Sequence, residues 1–567
     1  MIERIQASTG SKEGNHWRIA GWGSFLLLLG LFLLSHPGRI DMVDGQFRFD
    51  VARNIVNMTG PELTDFYLVQ GPLPVNPTTG HFYSYYTAPA SLLPIPLMIV
   101  SRVLCGISSA SDRFSFSLVS AFAGPLVAPL LLAFFRRMGV GVKQAVAWTL
   151  VFGLATLWWP SSETVFDQCQ HGVVMLAMTL MAYDVAKRGG IGYALAAGLL
   201  GGLLVNYRVP FVALLPAIPV YWLVEARRSG GQISKALING IIFGVGIGVG
   251  LAGYAFYNWI RFGSVNMPAF ESGVSMLGNP IAGFLTLAIS PGKGVLWFSP
   301  PLVLALIGFK SFFKAERGLA GLVIALSALH VGEMSFLSFA GGDWCWGPRY
   351  LIPIMPLWAL ALPYVSLKVV KPAVVYPLVG FGLVIQLMAV SVDHHRFFFN
   401  RRLPPHFWLD AWAYFRYSQL LSRPAEFVEN LGITDHKWAK LSSSPNGEMT
   451  YCPYGPPGAE GPPQATQPPS SKAKPRTELQ KKLKIIALAT QSSTPKIKLP
   501  PIDARVWQQQ FAVFYLPRPW WGWINRVPAE QRPVNPAPFM ALCLVTTGLG
   551  AGLLFRASKS SSPQEDA

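Results

Sequence analysis

Long apolar runs alternate with short polar ones through most of the chain, and each run approaches the length of about 20 residues that carries a helix across a bilayer. About twelve can be marked. They are Ile19 to Ser35, Phe116 to Phe135, Ala145 to Pro160, Val173 to Ala186, Ile191 to Tyr207 and Phe211 to Val224, followed by Ala236 to Tyr257, Val295 to Phe309, Leu319 to Leu337, Leu351 to Leu367, Val374 to Val392 and Pro538 to Phe555. A further run, Ala90 to Leu104, is short and punctuated by Pro89, Pro94 and Pro96. The expected fold is an all-α polytopic membrane protein.

Basic residues decide the path. If Ala90 to Leu104 does not cross, then Arg136, Arg137 and Lys143, Lys187 and Arg188, Arg227, Arg228 and Lys235, Lys310, Lys314 and Arg317, and Lys368 and Lys371 all share one side. That side also holds Arg4, Lys12 and Arg18 before the first span and Arg556 and Lys559 after the last. Clustering of Lys and Arg marks the cytoplasmic face, so Ala90 to Leu104 is expected to be a juxtamembrane or re-entrant helix of a long first outer loop. Both termini are expected in the cytoplasm. The conspicuous polar stretches then face outside: Asp41 to Ala90, Ser161 to His171, Asn206 to Arg208, Asn258 to Gly294, Phe339 to Tyr350 and Asp393 to Ala537.

Composition agrees. The 567 residues are 51% hydrophobic and only 13% charged, against about 25% charged in a soluble domain. The net charge of +18, from 46 Lys and Arg against 28 Asp and Glu, is accounted for by membrane orientation, with no call for nucleic acid. Five scattered cysteines form neither a disulfide framework nor a zinc pattern. The first apolar run lacks a small-residue cleavage pattern after it and reads as a retained span.

The organisation expected is a catalytic membrane module over 1–392 and an outer interfacial segment over 393–440. A Pro- and Ser-rich linker over 441–505 lacks the apolar content to fold alone. An aromatic interfacial segment over 506–535, a last span over 536–555 and a cytoplasmic tail over 556–567 complete the chain.

Candidate chemistry collects on the outer side. Asp41 and Asp44 stand just after the first span in DMVDGQFRFDVARNI, where Phe47, Val51, Ile55 and Met58 recur at helical spacing. Acids at a helix start are stabilised by capping and the dipole, and a carboxylate there can equally serve as a general base. In FAGGDWCWGPRYLIPIMP, Trp344 and Trp346 suit an interface or a sugar face, and Arg349 suits a headgroup or a substrate phosphate. Lys293 lies in SPGKG, which is not a P-loop, and reads as a phosphate contact or a solvated lysine. SETVFDQCQH supplies Glu163, Asp167 and His171, either as a plain loop or as a second source of acids, and Arg208 stands in a short outer turn. Adjacent His394 and His395 point apart on a helix and make a poor metal pair.

These stretches resemble the GT-C class of integral-membrane glycosyltransferases, which includes protein O-mannosyltransferases and lipid A aminoarabinose transferases. The resemblance rests on the acidic motif after the first span, on HFYSYYTAPASLLPIPL, on SPGKGVLWFSPP and on GGDWCWGPRYLIPIMPL, and covers roughly the first 400 residues. It implies an enzyme of the bacterial inner membrane with its site outside. Such an enzyme moves a sugar, with inversion, from a polyprenyl-phosphate donor to a hydroxyl of an envelope glycan, lipid or protein. By position Asp44 is the leading base and Asp41 the second. Gly45 stands where several members carry another acid, which leaves open which of the two acts. Arg349 and Lys293 are implied for the donor phosphate, and Arg208, which matches no specific family position, is a further candidate for it. Trp344, Trp346, Glu163, Asp167, His171 and Tyr85 are the candidates for substrate contact, from their own places in the chain. No resident metal or cofactor is specified, and a divalent cation is left open. The alternative reading is a transporter or flippase of a lipid-linked saccharide, which would more often place ionisable groups and broken helices at mid-membrane.

Overall fold

The computed structural model describes residues 2–40, 43–64, 74–266, 277–342, 345–366, 370–394, 397, 418–431, 518–526 and 532–559. Among them the regular structure is helical: α1 (Ile2–Ser35), α2 (Val43–Val56), α3 (Ala88–Leu92), α4 (Ile95–Cys105), α5 (Ser109–Ser117), α6 (Val119–Ala123), α7 (Val127–Arg137), α8 (Val142–Ala155), α9 (Trp158–Ser161) and α10 (Gln168–Arg188). There follow α11 (Ile191–Tyr207), α12 (Ala217–Arg228), α13 (Ile233–Phe262), α14 (Pro280–Ala288), α15 (Val295–Phe298), α16 (Leu302–Ala315), α17 (Arg317–Ser335), α18 (Met355–Ala359), α19 (Pro372–Ser391), α20 (Gln419–Leu431) and α21 (Pro536–Lys559).

Eight segments among the described residues are long and apolar enough to cross a membrane, Ala88–Cys105 and seven that match runs among the twelve marked. Others of the twelve fall short for local reasons. Helices α8 and α11 are apolar but short. The run Val295 to Phe309 breaks at Ser299, Pro300 and Pro301, so its long helix begins only at Leu302. The run from Leu351 divides into 3-10 turns around α18, where Pro353, Pro356 and Pro363 interrupt the regular ladder.

Ala88–Cys105 has the length and composition of a span, and the helices on either side of it meet. Arg113 of α5 donates to Gln46 of α2 and lies 4.8 Å over the Phe49 ring. Phe116 meets Phe49 edge-on at 5.5 Å. The chain therefore leaves α2 and re-enters the bundle at α5 on the same end. Helix α4 turns back along α5, where Arg102 grips Asp112 through two hydrogen bonds of 2.9 and 2.7 Å. Ser108 caps α5 by accepting from the Ser111 amide at 3.0 Å.

Two close helix pairs frame the bundle. Along α11 and α13, Gly198 faces Gly246 and Gly202 faces Gly250, so a Cβ on Gly202 would stand 3.0 Å from Gly250 Cα. Small residues four apart let two backbones touch where lipid offers no hydrophobic drive for association. Gly250→Leu is expected to cost about 3 kcal/mol by overpacking, read as a lower melting temperature in detergent, whereas Gly248→Leu, which faces open space, should melt like the wild type. Helices α1 and α21 pack antiparallel, with Gly30 against Thr547 and Gly550 against Leu27.

Candidate active site

The end of the bundle where α1, α11, α13 and α17 finish gathers the polar loops, and α2 is pressed into their midst. Gly45 is a steric necessity there, because a Cβ would overlap Val165 and Ile40. That contact accounts for the absence of a second acid after Asp44. Arg48, four residues after Asp44 on the same face of α2, is buried. It donates to Val165 O at 3.0 Å, and its guanidinium lies 4.0 Å over the Tyr86 ring.

Asp167 is the centre of an ionic cluster. Arg48 Nη2, His171 Nε2 and Arg208 Nη2 each stand 3.5 Å from its carboxylate. Burial alone would raise the Asp167 pKa, but the charges of Arg48, His171 and Arg208 hold the carboxyl well below the usual range. Arg208, 37% exposed, is the open edge of this group. His171 packs edge-on against Tyr207 at 4.8 Å and Phe211 at 5.2 Å.

Asp44 stands in the first turn of α2, half-buried. Burial first, and the Asp44 charge second, push the Tyr85 phenol up to about 12 and the Tyr86 phenol well above its ordinary value. Tyr85 meets Phe47 at 5.7 Å and Tyr86 at 4.5 Å. Their loop is fixed from α13, where Arg261 donates to Ser84 O at 2.6 Å and Tyr86 O at 3.1 Å. The neighbouring acids are engaged: Asp50 with Arg53 and the Thr64 amide, Glu62 with His81, Asp112 with Arg102, and Asp393 with Arg39. Among the described residues, Asp44 makes no ion pair or side-chain hydrogen bond.

Lys293 is no solvated lysine. It is fully buried, with Nζ donating to Cys345 O at 2.6 Å and lying 3.5 Å from Gly347 O, so that it joins the SPGKG turn to the Cys345–Gly347 turn. Arg349 is likewise buried, stacked 4.0 Å from the Phe166 ring and 3.3 Å from the Tyr350 hydroxyl. Its charge also reaches Arg208, which sets Arg349 beside the ionic cluster. Trp346 is 7% exposed and packs on Phe298 at 5.0 Å, which leaves little of its face for a sugar. Asp41 and Trp344 lie outside the described residues.

Glu163 is held apart from this cluster. Its carboxylate accepts from Ser35 and from Arg518 Nη1 at 3.0 Å, and Trp159 reinforces Ser35 at 2.9 Å. Burial pushes the Glu163 pKa up to about 8, outweighing Arg518 and Ser35. Because the folded value is raised above the ordinary 4.5, the neutral acid is the form the fold favours. Its contribution is full below pH 4.5 and is lost as pH rises through about 8. A melting temperature that falls between about pH 5 and pH 8, with a flatter slope in Glu163→Gln, is the expected result.

Arg518 introduces a segment in which Trp520, Trp521 and Trp523 donate to Leu33 O, Leu34 O and Pro37 O, each at 2.9 Å. These indoles satisfy carbonyls at the end of α1 that no helix turn can reach. Trp520 and Trp523 are buried, whereas Trp521 is half-exposed.

An apolar cavity of about 820 Å³ opens between α14, α16 and α17, lined by Phe284, Leu302, Leu306, Phe309, Ile324 and Trp358. Val295 on its wall is two residues from Lys293. Among the described residues no group of three His, Cys, Asp or Glu side chains could hold a metal.

Fold and site together define an all-α polytopic membrane protein with an ionic, tyrosine-lined site at one end of its bundle. No protein-family model matches the sequence, and no curated protein matches it significantly. In structure the chain is similar to ArnT from Cupriavidus metallidurans bound to undecaprenyl phosphate, at 14% identity over 73% of this chain and 70% of that one, with a TM-score of 0.44. It is also similar to the apo state of ArnT, at 13% identity over 97% and 78%, with a TM-score of 0.38.

Sequence reasoning gave Arg48 no role and missed Tyr86, Phe166 and Arg518. Arg48 carried a signal, being one helical turn beyond Asp44. Arg518 carried none, because its partner Glu163 is 355 residues away.

Proposed function

We propose that this chain is a GT-C-type membrane glycosyltransferase that passes a sugar from a polyprenyl-phosphate donor to a hydroxyl of an envelope glycan, lipid or protein on the outer face of the bacterial inner membrane. The observation that carries the reading is Asp44. Outside the spanning helices it is the acid left without a partner among the described residues, and it stands beside Tyr85 and Tyr86 one turn from the buried Arg48.

In this reading Asp44 accepts the proton of the acceptor hydroxyl as its oxygen bonds to the anomeric carbon. The bond from that carbon to the phosphate oxygen breaks, and the sugar centre inverts. The polyprenyl phosphate leaves with its charge met by Arg208 at the open edge and by Arg48 and Arg349 behind it. The cavity beside α14 has the apolar lining that an isoprenoid chain needs. Basic side chains at the opposite end support an outward-facing site: Arg137 pairs with Asp184 at 2.7 Å and Lys187 with Glu316 at 3.1 Å.

The test is mass spectrometry of envelope glycans and glycolipids from a deletion strain. Loss of a single sugar increment, restored by the wild-type gene, is the expected result. Accumulation of a lipid-linked saccharide confined to the inner leaflet would instead favour a transporter.

A further inference from the structure

Helix α20 is built inside out for a surface helix. Gln419, Ser422, Arg423 and Glu426 recur at i, i+3, i+4 and i+7 and are buried, while Leu421 and Val428 on the other side are 77% and 66% exposed. A polar inner face and an apolar outer face suit the rim of a membrane bundle.

The inner face reaches both loops that meet at Lys293. Ser418, just before α20, donates to Pro291 O at 2.8 Å, next to the turn that carries Lys293. Gln419 Nε2 donates to Cys345 O at 3.2 Å, and the Gly347 amide approaches Gln419 Oε1 at 3.5 Å. These are the residues whose carbonyls receive Lys293 Nζ. Arg423 donates to Val392 O at 2.9 Å and Asp393 O at 3.1 Å, and lays its guanidinium 4.6 Å from the Trp346 ring centre. One side chain thus brackets the Cys345–Gly347 turn and a second presses on its middle residue.

We infer that Gln419 and Arg423 are positioning residues for Arg349, acting through the Cys345–Gly347 turn that Lys293 Nζ also holds, so that α20 completes the anion-binding side of the site. This rests on the donor-phosphate reading above. Neither residue touches the reacting atoms. Gln419 bonds the Cys345 carbonyl that holds Lys293 and the Gly347 amide of the same turn, and Arg423 fixes the ring between them, two residues before Pro348 and three before Arg349.

The experiment uses the full chain in lipid nanodiscs. Lys293 is followed by acetylation with a soluble amine reagent and peptide mass spectrometry, and binding of undecaprenyl phosphate is followed separately. Removing buried hydrogen bonds in Gln419→Leu, or the guanidinium in Arg423→Ala, is expected to speed acetylation of Lys293 and to weaken binding, each by about tenfold. Leu421→Ser, on the outward face, should alter neither. If Gln419→Leu does not fold, the near-isosteric Gln419→Glu retains the acceptor for Gly347 N–H, loses the donor to Cys345 O, and should give the same result. Unchanged Lys293 reactivity in folded Gln419 and Arg423 variants overturns the inference. Faster acetylation in a protein whose wild type fails to bind undecaprenyl phosphate upholds the positioning role and overturns the donor-phosphate reading instead.

Discussion

Asp44→Asn is expected to lower sugar transfer by about 10² to 10⁴-fold, the span over which a positioned base acts. The substitution keeps the volume and removes only the charge. Asp44 has no ion pair among the described residues to lose, so the variant should melt close to the wild type. The measurement is product formation by purified protein, alongside recovery of the missing envelope increment in the deletion strain. A stably folded Asp44→Asn enzyme with wild-type turnover would remove the base assignment and turn attention to Asp41.

Asp167→Asn should act in the opposite way, through stability. It leaves Arg48 buried beside a neutral amide, and breaking a buried pair by removing one partner costs about 3–5 kcal/mol. Arg208→Ala removes a contact with the same carboxylate, but from a half-exposed side chain. Its stability cost should stay within about 1 kcal/mol while donor binding weakens. Thermal denaturation of the three proteins in one detergent separates these effects. The double variant Asp167→Leu with Arg48→Met should regain part of the stability lost by Asp167→Asn, because neither buried charge is then left alone.

The bundle was legible from the sequence wherever composition alone determines structure. Apolar runs of about 20 residues point to spanning helices, and the Lys and Arg clusters set the alternation expected of them. The same bookkeeping kept Ala90 to Leu104 at one end, in agreement with the Arg113 contact to Gln46. Helix breaks were harder to read, since Pro300 and Pro301 could have opened a span or ended one. In the site, the resemblance and not the spacing singled out Asp44, and a short loop brought Asp167 and His171 together. The state of each group depended on distant partners. Nothing near Lys293 predicts that it points into a protein turn, because the carbonyls it meets are 52 and 54 residues away. Nothing near Glu163 predicts that Ser35 and Arg518 occupy it.

The pairing of α1 with α21, locked by Trp520, Trp521 and Trp523, also bears on how the protein is made. The flank of α1 that receives Gly550 and Thr547 is synthesised some 500 residues before its partner exists. Until then, glycine-lined backbone on α1 faces lipid or an insertion chaperone, and the Glu163 carboxylate waits for Arg518. The seam along α1 can close only after the Trp520 segment and α21 have been made, so a chain interrupted before them would be left with that seam open.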